Sequence, residues 1–407
     1  MSDALARAVA PSAPAPAPAA ISDARRTQVR WSLLFGNFGI GCGVMVVVGT
    51  LNDIAQSLSV SISVAGQLVA AAAVVMCFGA PLLAGWIGSV DRRLLLAGAL
   101  AWYAIGHALS ALAPSYATLL PIRALTVLGA AAFTPQAAAA IGAMSTPEHR
   151  GRDITFIFIG WSVASVVGIP TSAWLGDTFG WRSAFFAVAA LGAIGAVWVW
   201  TTVPSGVRPV SLTLAAWRGV FGDRVLMAMV FVTALSGAGQ FTLFSYFAPY
   251  FKHAVGASTF EVTLLFVWFG VFGVLGNTLA SKYVDRIGAD RAVGFALVLM
   301  ALSLLAWPFA GSVATLAIVI VPWALGCFSS QSMQQARLGA AAPMFASALM
   351  ALNTSAIYLG QAAGASSGGW LIAHHGYGGL SIAGLAWLVL AIALSVWAGR
   401  TLRRQRR

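Results

Sequence analysis

Gly85-Trp-Ile-Gly-Ser-Val-Asp91-Arg92-Arg93 and Gly276-Asn-Thr-Leu-Ala-Ser-Lys282-Tyr-Val-Asp285-Arg286 are two short polar passages in an otherwise apolar chain, and the second echoes the first. Asp91 and Asp285 stand 194 residues apart, and so do Arg92 and Arg286. A second echo lies at 196 residues: Trp174-Leu175 with Gly180-Trp181, against Trp370-Leu371 with Gly376-Tyr377. Pro147 and Pro343 share that offset. Such self-similarity marks a duplicated half, and a duplicated set of membrane helices places a binding site between the halves.

Composition agrees. Of 407 residues, 59% are hydrophobic and 8% are charged, against about 25% charged in soluble domains. The mean hydropathy is +0.87. The net charge of +12 does not point to nucleic acid, because the basic residues lie singly or in pairs between apolar runs, as topology signals do. Cys42, Cys77 and Cys327 fall inside apolar runs without metal-ligand spacing, so packing is expected and no metal site.

A bilayer core takes about 20 apolar residues per helix. Runs of this kind occur near 31–51, 63–84, 94–113, 117–140, 154–175 and 183–203, and again near 225–250, 259–280, 292–310, 313–335, 345–372 and 379–399. The expected fold is an all-α membrane protein of twelve transmembrane helices in two pseudo-symmetric six-helix bundles. The domains expected are a disordered tail 1–30 rich in Ala and Pro, an N-terminal bundle 31–203, a central loop 204–224, a C-terminal bundle 225–399 and a basic tail 400–407. The tail lacks the basic start and apolar core of a cleaved signal peptide. With the N-terminus inside, 20 of the 23 Lys and Arg fall in cytoplasmic stretches, and the excess of positive charge fixes that orientation and an even number of spans. Arg182 and Lys252 lie at outer ends, and Arg123 lies within a span.

Enzyme signatures are few. No His-Glu-x-x-His, Cys-x-x-Cys or phosphate loop occurs, so no ATP-driven step and no enzyme activity are expected. Gly364-Ala-Ser366-Ser-Gly368 matches a nucleophile elbow by letters alone. Gly360, Gly364 and Gly368 recur every four residues, which instead predicts a smooth helix face for close packing.

On the two Asp-Arg loops the sequence resembles the major facilitator superfamily, whose signature Gly-x-x-x-Asp-Arg-x-Gly-Arg-Arg follows the second helix and is echoed after the eighth. The second copy ends Asp285-Arg286-Ile-Gly288. The first departs, with Ser89 where the acid is expected and Asp91 before Arg92-Arg93, as in the sugar-efflux and purine-nucleoside-efflux branch. The resemblance implies that Gly85, Asp91, Arg92, Arg93, Gly276, Asp285, Arg286 and Arg291 belong to gating loops on the cytoplasmic side. A plain topological anchor is the simpler alternative. The fifth span carries Gly160, Gly168, Pro170 and Gly176, followed by Gly180-Trp181-Arg182-Ser-Ala-Phe185. By itself this shows a close, kinked helix. It is similar to the antiporter motif of drug and sugar exporters, and the resemblance covers nearly all the chain from about residue 30.

Arg123 stands about two turns into the fourth span, where charge is costly and usually functional. Snorkelling to the surface is its structural alternative. Residues 317–320 of the second half read Ala-Ile-Val-Ile, so the duplicated scaffold does not require a cation there. The residue also matches the family's fourth-helix arginine, which the resemblance links to proton coupling. His107 is a candidate relay or an interhelical hydrogen-bonding group. Asp53 is the candidate proton carrier among acids that all lie in loops or at helix ends. With no acid central to the membrane, a permanently cationic substrate is disfavoured.

In this family's fold the first, fourth, seventh and tenth helices line the cavity. Asn37, Gln136, Gln240, Tyr246 and Trp323 lie on those spans, and Asn353, Tyr358 and Gln361 on the eleventh. Amides and aromatics suit a neutral or weakly amphiphilic solute, though each also serves as glue between helices. The function expected from the resemblance is proton-coupled efflux of a small organic solute (sugar, nucleoside or neutral drug) by alternating access. The proton gradient would supply energy without a cofactor, and the chain would act as a monomer in a bacterial-type inner membrane with both termini cytoplasmic. A proton-coupled nutrient importer and a non-transporting membrane sensor are the rival readings.

Overall fold

Apolar runs of this length close their backbone hydrogen bonds within helices, since lipid offers no partner for a free N–H or C=O. The computed structural model describes residues 23–60, 62–87, 90–207 and 214–405, and there every regular element is helical. Among the described residues, twelve helices have 18 or more residues. The N-terminal half contains α1 (Asp23–Gly49), α2 (Ile62–Trp86), α3 (Arg92–Ala111), α4 (Tyr116–Met144), α5 (Arg150–Phe179) and α6 (Trp181–Thr202). The C-terminal half contains α7 (Arg224–Phe244), α8 (Thr259–Ile287), α9 (Ala289–Ala306), α10 (Val313–Ala341), α11 (Ala346–His375) and α12 (Leu380–Gln405). Among the described residues, 11 helices are long and apolar enough to cross a membrane. The remaining one, α11, has the length, at 30 residues, but Asn353, Thr354, Ser355, Gln361, Ser366 and Ser367 dilute its apolar character.

Each half repeats one packing scheme. α1 lies against α5 and α6 as α7 lies against α11 and α12; α3 meets α6 as α9 meets α12; α2 meets α4 as α8 meets α10. The halves join where α5 packs on α8 and α10, and where α2 and α4 pack on α11. Phe78, Leu82 and Ile318 are 63%, 69% and 72% exposed, an outward apolar surface suited to lipid rather than water.

The duplication is visible in side-chain detail. Ser115 and Ser312, 197 residues apart, open α4 and α10 with the same capping box, to Thr118 and Thr315. This satisfies backbone donors that would otherwise face the membrane boundary unpaired. Gly79 meets Leu128 where Gly276 meets Leu325, again 197 apart. α5 and α11 both end at a glycine of positive φ, Gly180 (83°) and Gly376 (67°).

Several expectations change. Asp91 and Asp285 are not equivalent: Asp91 caps α3 by accepting from the Arg93 and Leu94 N–H groups, whereas Asp285 lies in the last turn of α8. The starts of α2, α3 and α4 repeat at 197 in α8, α9 and α10, so the 194-residue echo between them is a match of letters between neighbouring but different positions. The counterparts of Asp285 and Arg286 at 197 are Gly88 and Ser89, which lie outside the described residues, as do the tail 1–22, Arg208 and Pro209 of the central loop, and Arg406 and Arg407. α1 starts at Asp23, so 23–30 are not part of a disordered tail. Asp23 in the first turn pairs with Arg26 at 2.9 Å, and an acid there favours the helix dipole. α12 runs on to Gln405 with Arg403 and Arg404 in its last turn, the favourable end for cations. The central loop holds a short helix, Leu214–Gly222.

Candidate substrate cavity and its gate

A cavity of about 160 Å³ lies between the halves. The N-terminal half contributes Met45, Met76, Thr134 and the α5 side chains Phe158, Trp161, Ser162 and Ser165. The C-terminal half contributes Gln240, Phe241 and Phe244 of α7, Asn277 of α8, a row along α10 from Trp323 to Gln335, and Thr354, Ile357, Tyr358 and Gln361 of α11. None of the lining side chains is charged.

The wall combines fixed aromatics with unspent hydrogen-bonding capacity. Trp323 is fully buried and wedged by Phe247, Trp307 and Phe269, with ring centroids 4.9, 5.5 and 5.9 Å away. Such edge-to-face contacts hold an indole in one orientation. The Nε1 atoms of Trp161 and Trp323, Nε2 of Gln240 and Oε1 of Gln335 are buried without a hydrogen-bond partner, although Gln240 Oε1 accepts from Cys327 Sγ at 2.9 Å. Buried polar groups are nearly always paired. Three donors and one acceptor around one cavity are what a polar solute would satisfy.

Of the eight sequence candidates, Gln240, Trp323, Tyr358 and Gln361 line this space. The other four are outside its lining. Asn37 donates to Ile157 O at 3.1 Å and accepts from Thr134 at 3.1 Å, joining α1, α5 and α4. Tyr246 donates to Ala365 O at 2.7 Å, and Asn353 accepts from Thr233 at 2.5 Å. Gln136 is buried with Oε1 unpartnered. Helix facing, which a composition-poor sequence does not disclose, separates the two sets. Trp161 and Asn277 were missed because α5 and α8 were not expected to reach the cavity, and Gln331 and Gln335 were passed over on α10 although that helix was expected to line it. Polar residues inside apolar runs are the signal that would have found the last three.

The contacts that join the halves gather toward the end of the bundle where α1 begins and α12 ends. On α8, Asn277, Ser281 and Asp285 recur every four residues and so share one face. Asn277 donates to Ser162 at 2.9 Å and accepts from Ser332 at 2.5 Å. Ser281 donates to Arg152 O at 3.2 Å. Asp285 accepts the Arg152 N–H on both oxygens, at 3.1 and 3.0 Å, and so caps α5 from the opposite half. Arg92 is fully buried and donates to Ser347 at the start of α11, at 3.1 Å. Ser355 of α11 donates to Cys77 O of α2. Arg93 instead lies over the Trp200 ring of its own half. Asp91 Oδ2 accepts from Gly206 N at 2.5 Å and Arg92 N donates to Val207 O at 3.0 Å, tying the start of the central loop to α3. Gly85 lies in the last turn of α2. Arg286 and Arg291 are exposed.

Arg123 does not reach the surface. It is 1% exposed, donates from Nη1 to His107 Nε2 at 2.9 Å and from Nη2 to Gly43 O at 2.7 Å. His107 Nδ1 lies 2.9 Å from Tyr103 O, and the Tyr103 hydroxyl donates to Ile40 O at 3.0 Å. Because Nε2 accepts, Nδ1 carries the proton and donates, which makes His107 a neutral ring. Gly43 is required for this approach: a Cβ there would lie 2.8 Å from His107 Nε2. The offset-197 counterpart of Arg123 is Ile320, also fully buried, so the cluster exists in one half only. Asp53 is separate from it. It sits beside Gly176, whose added Cβ would meet Asp53 Oδ2 at 2.5 Å, and desolvation together with the neighbouring Asp177 pushes its carboxyl above the usual range.

The glycine series act in packing. Gly160 lies against Leu34 and Phe38 of α1, Gly168 against Cys42, and Gly176 against Thr50 and Asp53. Gly360, Gly364 and Gly368 meet Ala234, Ala238 and Thr242 of α7 in the same manner. Pro170 lies inside α5.

Comparison with known proteins fits this arrangement. The sequence model of the Major Facilitator Superfamily matches residues 33–253 and 229–407. The chain is 35% identical over 374 residues to the inner membrane transport protein YdhP of Escherichia coli (strain K12), covering 88% of this chain and 94% of that one. It is 27% identical over 362 residues to the purine ribonucleoside efflux pump NepI of Escherichia coli O1:K1 / APEC, covering 85% and 88%. The structure of the proton:xylose symporter XylE superposes with a TM-score of 0.75 at 18% identity over 92% of this chain and 95% of that one. The chain belongs to the major facilitator superfamily and is a multi-pass membrane transporter.

Proposed function

We propose that the protein is a proton-coupled exporter of a small, uncharged or weakly amphiphilic organic solute, with nucleosides, sugars and neutral drugs as the class to test. The observation that carries this reading is the uncharged cavity between the halves, whose polar groups are amides, hydroxyls, indole N–H groups and the Cys327 thiol. A charged solute would be desolvated there without a counter-ion, at a cost of several kcal/mol or more. Efflux is supported by similarity to a relative named as an efflux pump.

In this scheme the basic loops are cytoplasmic, so the end at which the halves are tied faces the cytoplasm and the form is assigned as outward-facing. Asp285 and Arg92 hold that end shut. Coupling is assigned to the Arg123–His107 pair. Protonating His107 converts its Nε2 from acceptor to donor and sets two cations side by side, which expels the guanidinium and frees Gly43 O on α1. A proton entering from outside would thereby loosen α1 and α4 and favour the change of access. His107 replaces Asp53 in this scheme because it touches Arg123 and Asp53 does not.

The test uses purified protein in liposomes carrying a pH-sensitive dye inside, under an imposed proton gradient, with solutes added one at a time. Proton flux stimulated by one uncharged solute and lost in Arg123→Ala supports the reading. Solute movement in the same direction as the proton would make the protein a symporter instead. Solute flux that ignores the gradient would remove the coupling.

A further inference from the structure

A second cleft, of about 480 Å³, lies on the lipid side of the C-terminal half, between α8 and α9 and floored by Leu325, Ser329 and Met333 of α10. Its rim is made by Leu279, Tyr283 and Ile287 of α8 and Phe295 of α9, which are 43%, 37%, 47% and 66% exposed. From Gly276 to Ile287 its wall rises about 16 Å at 1.5 Å per residue. That is roughly half of a hydrocarbon core about 30 Å thick, so the cleft spans a single leaflet.

The cleft changes character at its end nearest the termini. Arg291 and Ile287 line it and also line an adjoining pocket of about 270 Å³, where Arg337, Arg403, Asp290 and the backbone of Gly288 complete the wall. Arg337 is committed, with its guanidinium 2.5 Å from Asp290 and 3.0 Å from both Ser395 atoms it meets. Arg291 and Arg403 have no acidic partner among the described residues and are exposed. The Lys282 ammonium lies 5.4 Å from the ring centre of Tyr283, a rim residue. An apolar slot one leaflet deep thus opens onto an uncompensated cationic pocket at headgroup level.

We propose that the cleft and pocket form a site for one anionic phospholipid, with an acyl chain between α8 and α9 and the phosphate on Arg291 and Arg403. A partner transmembrane helix would need a face along the whole membrane, and this cleft covers half. A neutral lipid would leave the two arginines without a counter-charge, whereas basic pockets between membrane helices suit anionic headgroups. The site belongs to one half only. At the pseudo-equivalent positions of the N-terminal half, Leu94 stands for Arg291 and Trp102 for Leu299, and the Trp102 indole lies across α4, donating to Leu125 O at 2.8 Å.

The experiment is native mass spectrometry of the full chain in detergent, titrated with dioleoyl phosphatidylglycerol, dioleoyl phosphatidylcholine or inorganic phosphate. The wild type is expected to retain one phosphatidylglycerol with roughly tenfold preference over phosphatidylcholine. Arg291→Ala with Arg403→Ala should bring the two lipids level. Leu299→Trp copies the N-terminal half, fills the slot and keeps every charge. It should weaken both lipids severalfold, and it decides the matter if the double variant does not fold. Equal binding of the two lipids by the wild type overturns the proposal. So does phosphatidylglycerol binding unchanged in Leu299→Trp. Displacement of the lipid by an equal concentration of inorganic phosphate would reassign the pocket to free phosphate.

Discussion

Arg123 donates to Nε2 of His107 across 2.9 Å, and both side chains are buried in the core of the N-terminal half. The pair is a cation held by a neutral ring and a carbonyl rather than by an acid. A protonation of the ring therefore has a mechanical consequence, because the contact of His107 with the guanidinium turns from attraction to repulsion, leaving Tyr103 as the other polar neighbour on α3.

His107→Gln tests that consequence. Glutamine can still accept from Arg123 through its amide oxygen but cannot take up a proton. Protein yield and melting temperature should stay close to wild type, while the gradient-driven rate in liposomes falls roughly 100-fold or more, the scale lost with a general acid–base group. Full coupling in this variant would remove His107 as the carrier.

The gate makes a separate prediction. Asp285 caps α5 across the interface with two N–H···O contacts. A hydrogen bond to a charged group contributes about 1.5–3 kcal/mol, so Asp285→Ala should shift the access equilibrium toward the inward-facing form by roughly 10- to 100-fold. A single cysteine placed at the α5–α8 contact near Ser281 would become alkylated from the cytoplasmic side. Labelling equal to that in the parent would show that the contact does not hold the gate.

Asp53 should behave as a structural acid. Its folded-state carboxyl is raised, first by desolvation and then by Asp177. A folded pKa above the unfolded one means the native state binds more protons at intermediate pH, so stability declines as pH rises through that interval. Asp53→Asn should therefore melt slightly higher than wild type at neutral pH, and the difference should vanish on acidification below the ordinary aspartate range. Thermal unfolding at several pH values checks this, and unchanged proton coupling in the same variant separates it from a carrier role.

Gly364 sets how closely α7 and α11 approach, since an added Cβ would lie 2.9 Å from the Thr242 N and 3.0 Å from the Ala238 Cα. Both obstacles are backbone and cannot yield locally. Gly364→Val should cost about 1–3 kcal/mol or more, seen as a loss of monodisperse protein in size-exclusion chromatography. Gly378, with nothing within 4 Å of its added Cβ, should accept alanine without such loss.

Cavity substitutions should affect affinity before rate. Gln240→Ala removes an unpartnered Nε2 from the wall. Loss of one neutral hydrogen bond to solute costs about 0.5–1.5 kcal/mol, a rise in KM of roughly 2- to 12-fold with little change in kcat. Trp323→Phe should act similarly and retain the ring packing.

The sequence by itself determined the class of this protein. Charge-free runs near twenty residues admit only helices in lipid, the distribution of arginines set the orientation we adopt, and the glycines of α5 and α11 announced close packing that the structure places on α1 and α7. Arg123 stood out because a cation in an apolar run has few uses. The echo of Asp91 in Asp285 told of duplication but misplaced the equivalence, since a loop can slip by three residues while the helices beside it keep a 197-residue register. Which polar residues face the cavity was decided only by tertiary structure. Nearly every side of these helices is apolar, so periodicity carries little information about facing. Asn37 and Gln240 are both amides buried in membrane helices, yet one is spent between α1, α4 and α5 while the other leaves its Nε2 unpaired at the cavity. That difference arises from helix rotation and from contacts 87 to 120 residues apart in the chain.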